Sequence, residues 1–269
     1  MKKVLVLYHA NCLDGFGAAF SAWLYFRNAA EYVAVNYNEP PPDVTEKHVY
    51  ILDFSYKRPV LEQMAKDSLG LTVIDHHKTA MEDLAGFKGA YFDMSKSGAV
   101  LTWEHFFYTP VPKILLHVQD RDLWKFELED TKNITAALHA TMPNSFEVWE
   151  SLLKDANLAK ICAAGGILNL QFKKEVDDLV SKLHAIKIVG VQGFACNAPP
   201  KYASELGNRL AQQTLSFGAV YYYDGKRGVW QFSLRSVGDF DVSELAKQFG
   251  GGGHKNAAGF FVENISDFV

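Results

Sequence analysis

The sequence predicts an α/β chain: a mostly parallel sheet with helices on both faces, then a helical connector, then a smaller α/β domain. Three observations predict it. Short, nearly continuous apolar runs, such as VLVLY at 4–8 and LTVID at 71–75, read as strands buried on both faces. Segments of helical character separate these runs, the alternation expected of a parallel sheet. With 269 residues and 48% hydrophobic content, the chain can bury one large core or two smaller ones.

The elements follow in order. Strand 4–8 leads into a helix in GAAFSAWLYFRNA (17–29). YVAVNY (32–37) and VYILDF (49–54) are strand-like, and PVLEQMAKDS (59–68) is a helix opened by Pro59, which suits a first-turn position. LTVIDHH (71–77) is a further strand, and SGAVLTWEHFF (97–107) and PKILLHVQD (112–120) read as helices. Residues 133–183 are almost wholly helical in pattern. IKIVGV (186–191) then reads as a strand, Pro199 and Pro200 as a turn, and a helix starts near Ala203. GAVYYYDG and GVWQFSLRS read as antiparallel strands around Asp224 and Gly225, and a short helix, VSELAKQF, leads to GGGGHKNAAGF (250–260). The expected domains are 1–132, a connector at 133–185, and 186–269.

Net charge is −4, so there is no basic excess to hold a long duplex, and a phosphate-bearing ligand is expected to be short. Cys12, Cys162 and Cys196 are odd in number and widely spaced, which suggests no disulfide framework and fits a reducing, cytoplasmic setting. The apolar part of MKKVLVLYHAN is too short for a signal peptide, and no apolar run approaches the ~20 residues that cross a bilayer, so no membrane partner is expected. The oligomeric state is left open, a homodimer included.

Three carboxylates fall at the ends of expected strands: Asp14, Asp53 and Asp75. In an open parallel sheet ligands bind outside those ends. One such Asp is ordinarily a turn former or helix cap; three on one edge, two with histidines beside them, point to a metal site. Asp75, His76 and His77 can converge where the strand opens into a loop, with carboxylate and imidazole suited to manganese, iron or zinc. Asp120 and Asp122 flank Arg121, and one of the pair is expected to face inward. The four glycines from Gly250 to Gly253 let backbone amides approach an anion, with His254, Lys255 and the upstream Arg235 as further donors.

The order of these motifs (His9…Asp14-Gly15, Asp53, Asp75-His76-His77, a later Asp, then SLRS and GGGH..AAG) resembles the DHH phosphoesterase superfamily, its small two-domain nanoRNase-like members most of all. The resemblance implies a two-manganese centre, magnesium or another divalent cation being alternatives. His9, Asp14, Asp53, Asp75, His76 and Asp120 would be metal ligands, with Asp75 either a ligand or a carboxylate that orients a histidine. His77 would meet the scissile phosphate, making His77, Asp75 and Arg235 the catalytic set. Arg235, Gly251, Gly252, Gly253 and His254 would bind substrate. Many members carry Asp-x-Asp-Gly where this chain has Cys12-Leu13-Asp14-Gly15. Three readings follow: Cys12 ligates as thiolate, Asn11 supplies an oxygen, or one cation is held weakly until substrate arrives. The expected substrates are short RNA or DNA oligonucleotides, linear dinucleotides or phosphoadenosine phosphate. A polyphosphatase or pyrophosphatase, drawing on Lys57, Arg58, Lys78 and Lys96, and a catalytically weakened nucleotide-binding protein are the alternatives. Tyr8, Tyr56 and Trp124 are candidate base-stacking residues or cleft wall.

Overall fold

The computed structural model describes residues 2–37, 39–141, 145–266 and 268. It divides into two compact units, Met1–Leu170 and Gln171–Val269.

The first unit opens with β1 (Val4–His9), α1 (Leu13–Phe26), β2 (Ala30–Val35), β3 (His48–Leu52), α2 (Arg58–Asp67), β4 (Gly70–Asp75), α3 (Lys78–Asp83) and β5 (Ala90–Phe92). Its five strands form one parallel sheet in the order β2-β1-β3-β4-β5. Strand side chains alternate between faces, and each face has its own cover. Leu5, Leu7, Val49, Ile51 and Val73 pack with Leu61 and Met64 of α2. Val6, Leu52 and Ile74 pack with Ala18 and Ala22 of α1. Burial on both faces is why these strands read as unbroken apolar runs.

Then follow α4 (Gly98–Phe106), α5 (Lys113–Asp122), α6 (Thr131–Ala140), α7 (Phe146–Ser151) and α8 (Asp155–Val180). A core of Phe16, Phe20, Trp103, Leu115, Ile134, Leu138, Trp149 and Leu158 joins these helices to α1. The helices expected as a connector are therefore shared out: α6, α7 and the start of α8 belong to the first unit, and the end of α8 to the second. Residues 142–144 of that stretch lie outside the described residues. Among the described residues no helix is long and apolar enough to cross a membrane.

The second unit contains β6 (His184–Ile188), β7 (Val191–Asn197), α9 (Ala203–Ala211), β8 (Phe217–Asp224), β9 (Val229–Ser236), α10 (Val242–Lys247), β10 (Gly252–His254) and β11 (Ala257–Val262). Its sheet runs β10-β11-β9-β8-β7-β6, antiparallel except for the β7–β8 pair. One expectation is corrected here. IKIVGV is not one strand: Val189 and Gly190, both at positive φ (49° and 80°), turn the chain back between β6 and β7. Of the glycine run, Gly252 and Gly253 lie in β10 and pair with Gly259 and Ala258. A Cβ on Gly251 would collide with the Gly259 carbonyl, and one on Gly253 with that of Ala257, so close strand packing itself demands glycine.

Candidate metal centre

Strand register assembles the centre. Tyr8, Leu52 and Ile74 form the last row shared by β1, β3 and β4. One residue further along each strand come His9, Asp53 and Asp75, side by side at the carboxyl edge. The chain leaves β1 toward β2 on one side, while β3 lies on the other, so His9 and Asp53 flank the switch point of the sheet.

Local backbone aims the side chains. Asp53 takes φ 62°, a left-handed conformation that Asp tolerates better than most residues, and this turns its carboxylate out of strand alternation. Gly15 answers for the Asp-Gly pair: a Cβ there would collide with the His9 carbonyl and come within 2.8 Å of its Cβ, so only glycine lets α1 start over the end of β1. Gly98 does the same for α4, where a Cβ would lie 2.6 Å from Asp53 Cβ. That close approach lets the Gly98 and Ala99 amides donate to Asp14 at 2.6 and 3.0 Å, placing a carboxylate on the helix N-terminus.

The resulting cluster is dense in charge. His76 Nε2 lies 3.1 Å from Asp53 Oδ1, 3.5 Å from Asp14 Oδ2 and 3.5 Å from Asp122 Oδ2. His9 Nδ1 lies 3.6 Å from Asp53 Oδ2. Asp75 Oδ1 accepts from the His76 amide and meets His77 Nδ1 at 2.7 Å, which fixes the His77 ring and turns Nε2 away from Asp75. Within the first unit, among the described residues, three sets of donor atoms each have their members within 4.8 Å of one another: Asp53, Asp75, His76 and His77; Asp14, His76 and Asp122; and His9, Cys12 and Asp53.

The donors fit divalent cations. Asp53 is 1% exposed, and among the described residues its oxygens are met by the His76 and His9 imidazoles without a well-formed hydrogen bond, while Asp75 Oδ2 has no hydrogen-bond partner. Buried carboxylate oxygens left this way are costly unless something positive meets them. Titration reflects the crowding. Burial and the neighbouring Asp53 and Asp122 carboxylates push Asp14 well above its ordinary value. Burial would lower His76, but Asp53, then Asp122 and Asp14, outweigh it and raise the imidazole to about 11. Burial, with Asp53, Asp122 and Asp14 near, raises the Cys12 thiol.

Of the expected ligands, His9, Asp14, Asp53, Asp75 and His76 come together here. Asp120 does not. It is 5% exposed and its oxygens accept from the amides of Glu127 (2.8 Å) and Leu128 (3.1 Å) and from Thr131 Oγ1 (2.6 Å). These bonds outweigh burial and hold its carboxyl below the ordinary range. Asp122 faces the cluster instead. The helix α5 runs on through Asp122, and residues two apart on a helix point about 200° away from each other, so only one of the pair can turn inward. Tyr37 is a further residue that sequence reasoning missed: it is 43% exposed, and its ring centroid lies 4.9 Å from that of His9 and 6.4 Å from that of His77. Its only sequence signal was a tyrosine just past β2. Tyr8 packs on Phe16, Tyr56 is buried in the core, and Trp124 packs edge-on against Phe126.

In the second unit, cross-strand register places Gly218, Arg235, Ala257 and His254 in one row on one face. Arg235 and His254 are two strands apart, about 10 Å, with only an alanine between them. Arg235 donates to Ser204 Oγ at 2.9 Å and to the Leu234 carbonyl at 2.8 Å. Gly251 leads into the edge strand, whose Gly252 and Gly253 precede His254.

Fold and cluster together define an α/β protein with an acid–imidazole centre, suited to divalent cations, at the switch point of a parallel sheet. The DHHA1 domain model matches residues 189–269. An uncharacterized protein, R106, of Acanthamoeba polyphaga mimivirus is 33% identical over 288 residues, spanning 97% of this chain and 68% of that protein. Oligoribonuclease NrnB of Bacillus subtilis (strain 168) is 28% identical over 293 residues, spanning 94% and 71%. Among solved structures, RecJ from Thermus thermophilus in complex with Mn2+ shares the fold at a TM-score of 0.52 and 15% identity, covering 96% of this chain and 49% of that one. The chain belongs to the DHH phosphoesterase superfamily, in the arrangement that ends in a DHH-associated domain.

Proposed function

We propose that the protein is a divalent-cation-dependent phosphoesterase acting on short oligonucleotides, with linear dinucleotides and phosphoadenosine phosphate in the same substrate range. The observation that carries the reading is the convergence of Asp14, Asp53, Asp75, His76 and Asp122, with the buried oxygens of Asp53 and Asp75 Oδ2 making no well-formed hydrogen bond among the described residues. The similarity to an oligoribonuclease over most of both chains supports the substrate class. The mild net negative charge supports a short substrate over a long one.

His9, Asp14, Asp53, His76 and Asp122 would hold the cations, with Asp53 shared between donor sets and Asp75 Oδ2 a further donor. The oxygen and nitrogen ligands favour manganese or magnesium. Such cations, when bound, supply a water activated near neutral pH and neutralise charge on the attacked phosphoryl oxygens. The chain's own groups do the remainder. Asp75 accepts from His77 Nδ1–H and, against burial, favours the protonated ring, so that Nε2–H can donate to a phosphoryl oxygen as negative charge grows there. Arg235 and His254 lie on one face, where a phosphate would have to share the Arg235 guanidinium with Ser204 and the Leu234 carbonyl. The polyphosphatase reading is less well supported, because two of the cations it needs are engaged locally. Arg58 donates to the carbonyls of Asp83 and Ala85, and Lys96 pairs with Glu104 at 2.6 Å.

The test is a panel of labelled RNA and DNA oligomers of increasing length, with phosphoadenosine phosphate and tripolyphosphate, each incubated with manganese. The expected result is fastest release from the shortest oligonucleotides and none without a divalent cation. Tripolyphosphate as the best substrate, or tight nucleotide binding without any release, would overturn the reading.

A further inference from the structure

The three donor sets of the centre are not chemically alike. Two of them offer only carboxylate oxygen and imidazole nitrogen. The third, His9, Cys12 and Asp53, adds a sulfur. These residues come from the end of β1, the turn before α1 and the end of β3, so the fold gathers them from separate elements.

Cys12 stands at the N-cap of α1, where Ser, Thr, Asp or Asn would normally serve an open amide. Its side chain makes no capping hydrogen bond. The thiol is therefore not placed there to finish the helix. Beside it are two atoms with no hydrogen-bond partner among the described residues: Asp53 Oδ2, on a side chain 1% exposed, and His9 Nδ1, 3.6 Å away. Asn11, the other side chain able to supply a ligand atom at this turn, is exposed and donates to Asn36 Oδ1 at 3.4 Å.

We infer that His9, Cys12 and Asp53 form a nitrogen–sulfur–oxygen subsite that selects a softer divalent cation, of the zinc, ferrous or cobaltous type, beside an oxygen- and nitrogen-lined subsite suited to manganese or magnesium. Thiolate ligands favour the softer ions, whereas carboxylates suit the harder ones. On binding, the Sγ–metal bond forms as the thiol proton leaves to solvent, with no change of oxidation state. The centre is thus a mixed one, with Asp53 common to both subsites.

The inference rests on the cation-binding reading above and has a readout independent of catalysis. The full-length protein, stripped by chelation, is titrated with cobalt(II) and followed by absorbance, and zinc binding is measured by calorimetry. The wild type is expected to develop a thiolate-to-cobalt charge-transfer band in the near ultraviolet. Cys12→Ser should lose that band and bind zinc at least ~10-fold more weakly, the scale on which even supporting groups alter metal affinity. Cys12→Asp should lose the band while keeping manganese binding. Cobalt binding to the wild type without the band, or a band that survives in Cys12→Ser through Cys162 or Cys196, overturns the sulfur ligand and leaves the functional reading intact. No binding of cobalt, zinc or manganese overturns both.

Discussion

Asp120 and Asp122 are two residues apart, and the structure gives them opposite work, so exchanging each separates folding from cation binding. Asp120 accepts three hydrogen bonds from the Glu127 and Leu128 amides and the Thr131 hydroxyl. A hydrogen bond to a charged group contributes roughly 1.5–3 kcal/mol, less where water can replace it. Glu127 and Leu128 are exposed enough for that replacement, whereas Thr131 is buried. Asp120→Ala should therefore cost about 3 kcal/mol in all, or roughly 6–12 °C in the melting of a domain this size. Because the carboxyl is held below its ordinary value, its contribution is complete above about pH 4 and fades as the pH falls further. The gap between wild type and variant should close in the same acidic range. Asp122→Asn removes one negative charge from a crowded cluster and breaks no capping bond. It should leave the melting temperature within ~1 °C or raise it, while weakening manganese binding at least ~10-fold. Thermal denaturation in chelator and calorimetric titration with manganese measure the two quantities. A stable Asp120→Ala that no longer binds cation, beside an Asp122→Asn that binds normally, would refute the placement of the two carboxylates.

His77→Ala should slow turnover by ~100-fold or more at saturating manganese, the scale for losing one charge-stabilising donor; near-normal steady-state rates would remove His77 from the chemistry. Gly98→Ala sets a Cβ 2.6 Å from that of Asp53. It should destabilise the first unit by about 1–3 kcal/mol and weaken cation binding as Asp53 is displaced, both read in the same denaturation and titration experiments. Arg235→Ala should raise KM for an oligonucleotide by ~10-fold or more with a smaller change in kcat, since its guanidinium is assigned to binding rather than to the metal centre.

Much of the centre was legible because strand periodicity and strand ends carry it. Apolar runs located β1, β3 and β4, and once those strands pair in register, His9, Asp53 and Asp75 must meet at one edge. The Asp14-Gly15 pair was visible as a motif, but the need for glycine came from an approach of backbone to backbone that no periodicity encodes. The choice between Asp120 and Asp122 depended on where α5 stops, and a shift of two residues exchanges the face that turns inward. Val189 concealed a turn, since a β-branched residue at positive φ is the reverse of the usual turn signal. The glycine run had two physical readings, an anion nest and tight strand packing, and only the pairing of β10 with β11 revealed the second. Tyr37 was illegible because its neighbours His9 and His77 reach it through tertiary structure alone.

Anomalous diffraction from crystals soaked in manganese tests the metal centre most directly. Manganese density touching both Asp53 and His76, with Asp122 rather than Asp120 at its edge, is the expected result. Density confined to other carboxylates, with the buried oxygens of Asp53 untouched at saturating manganese, would contradict it.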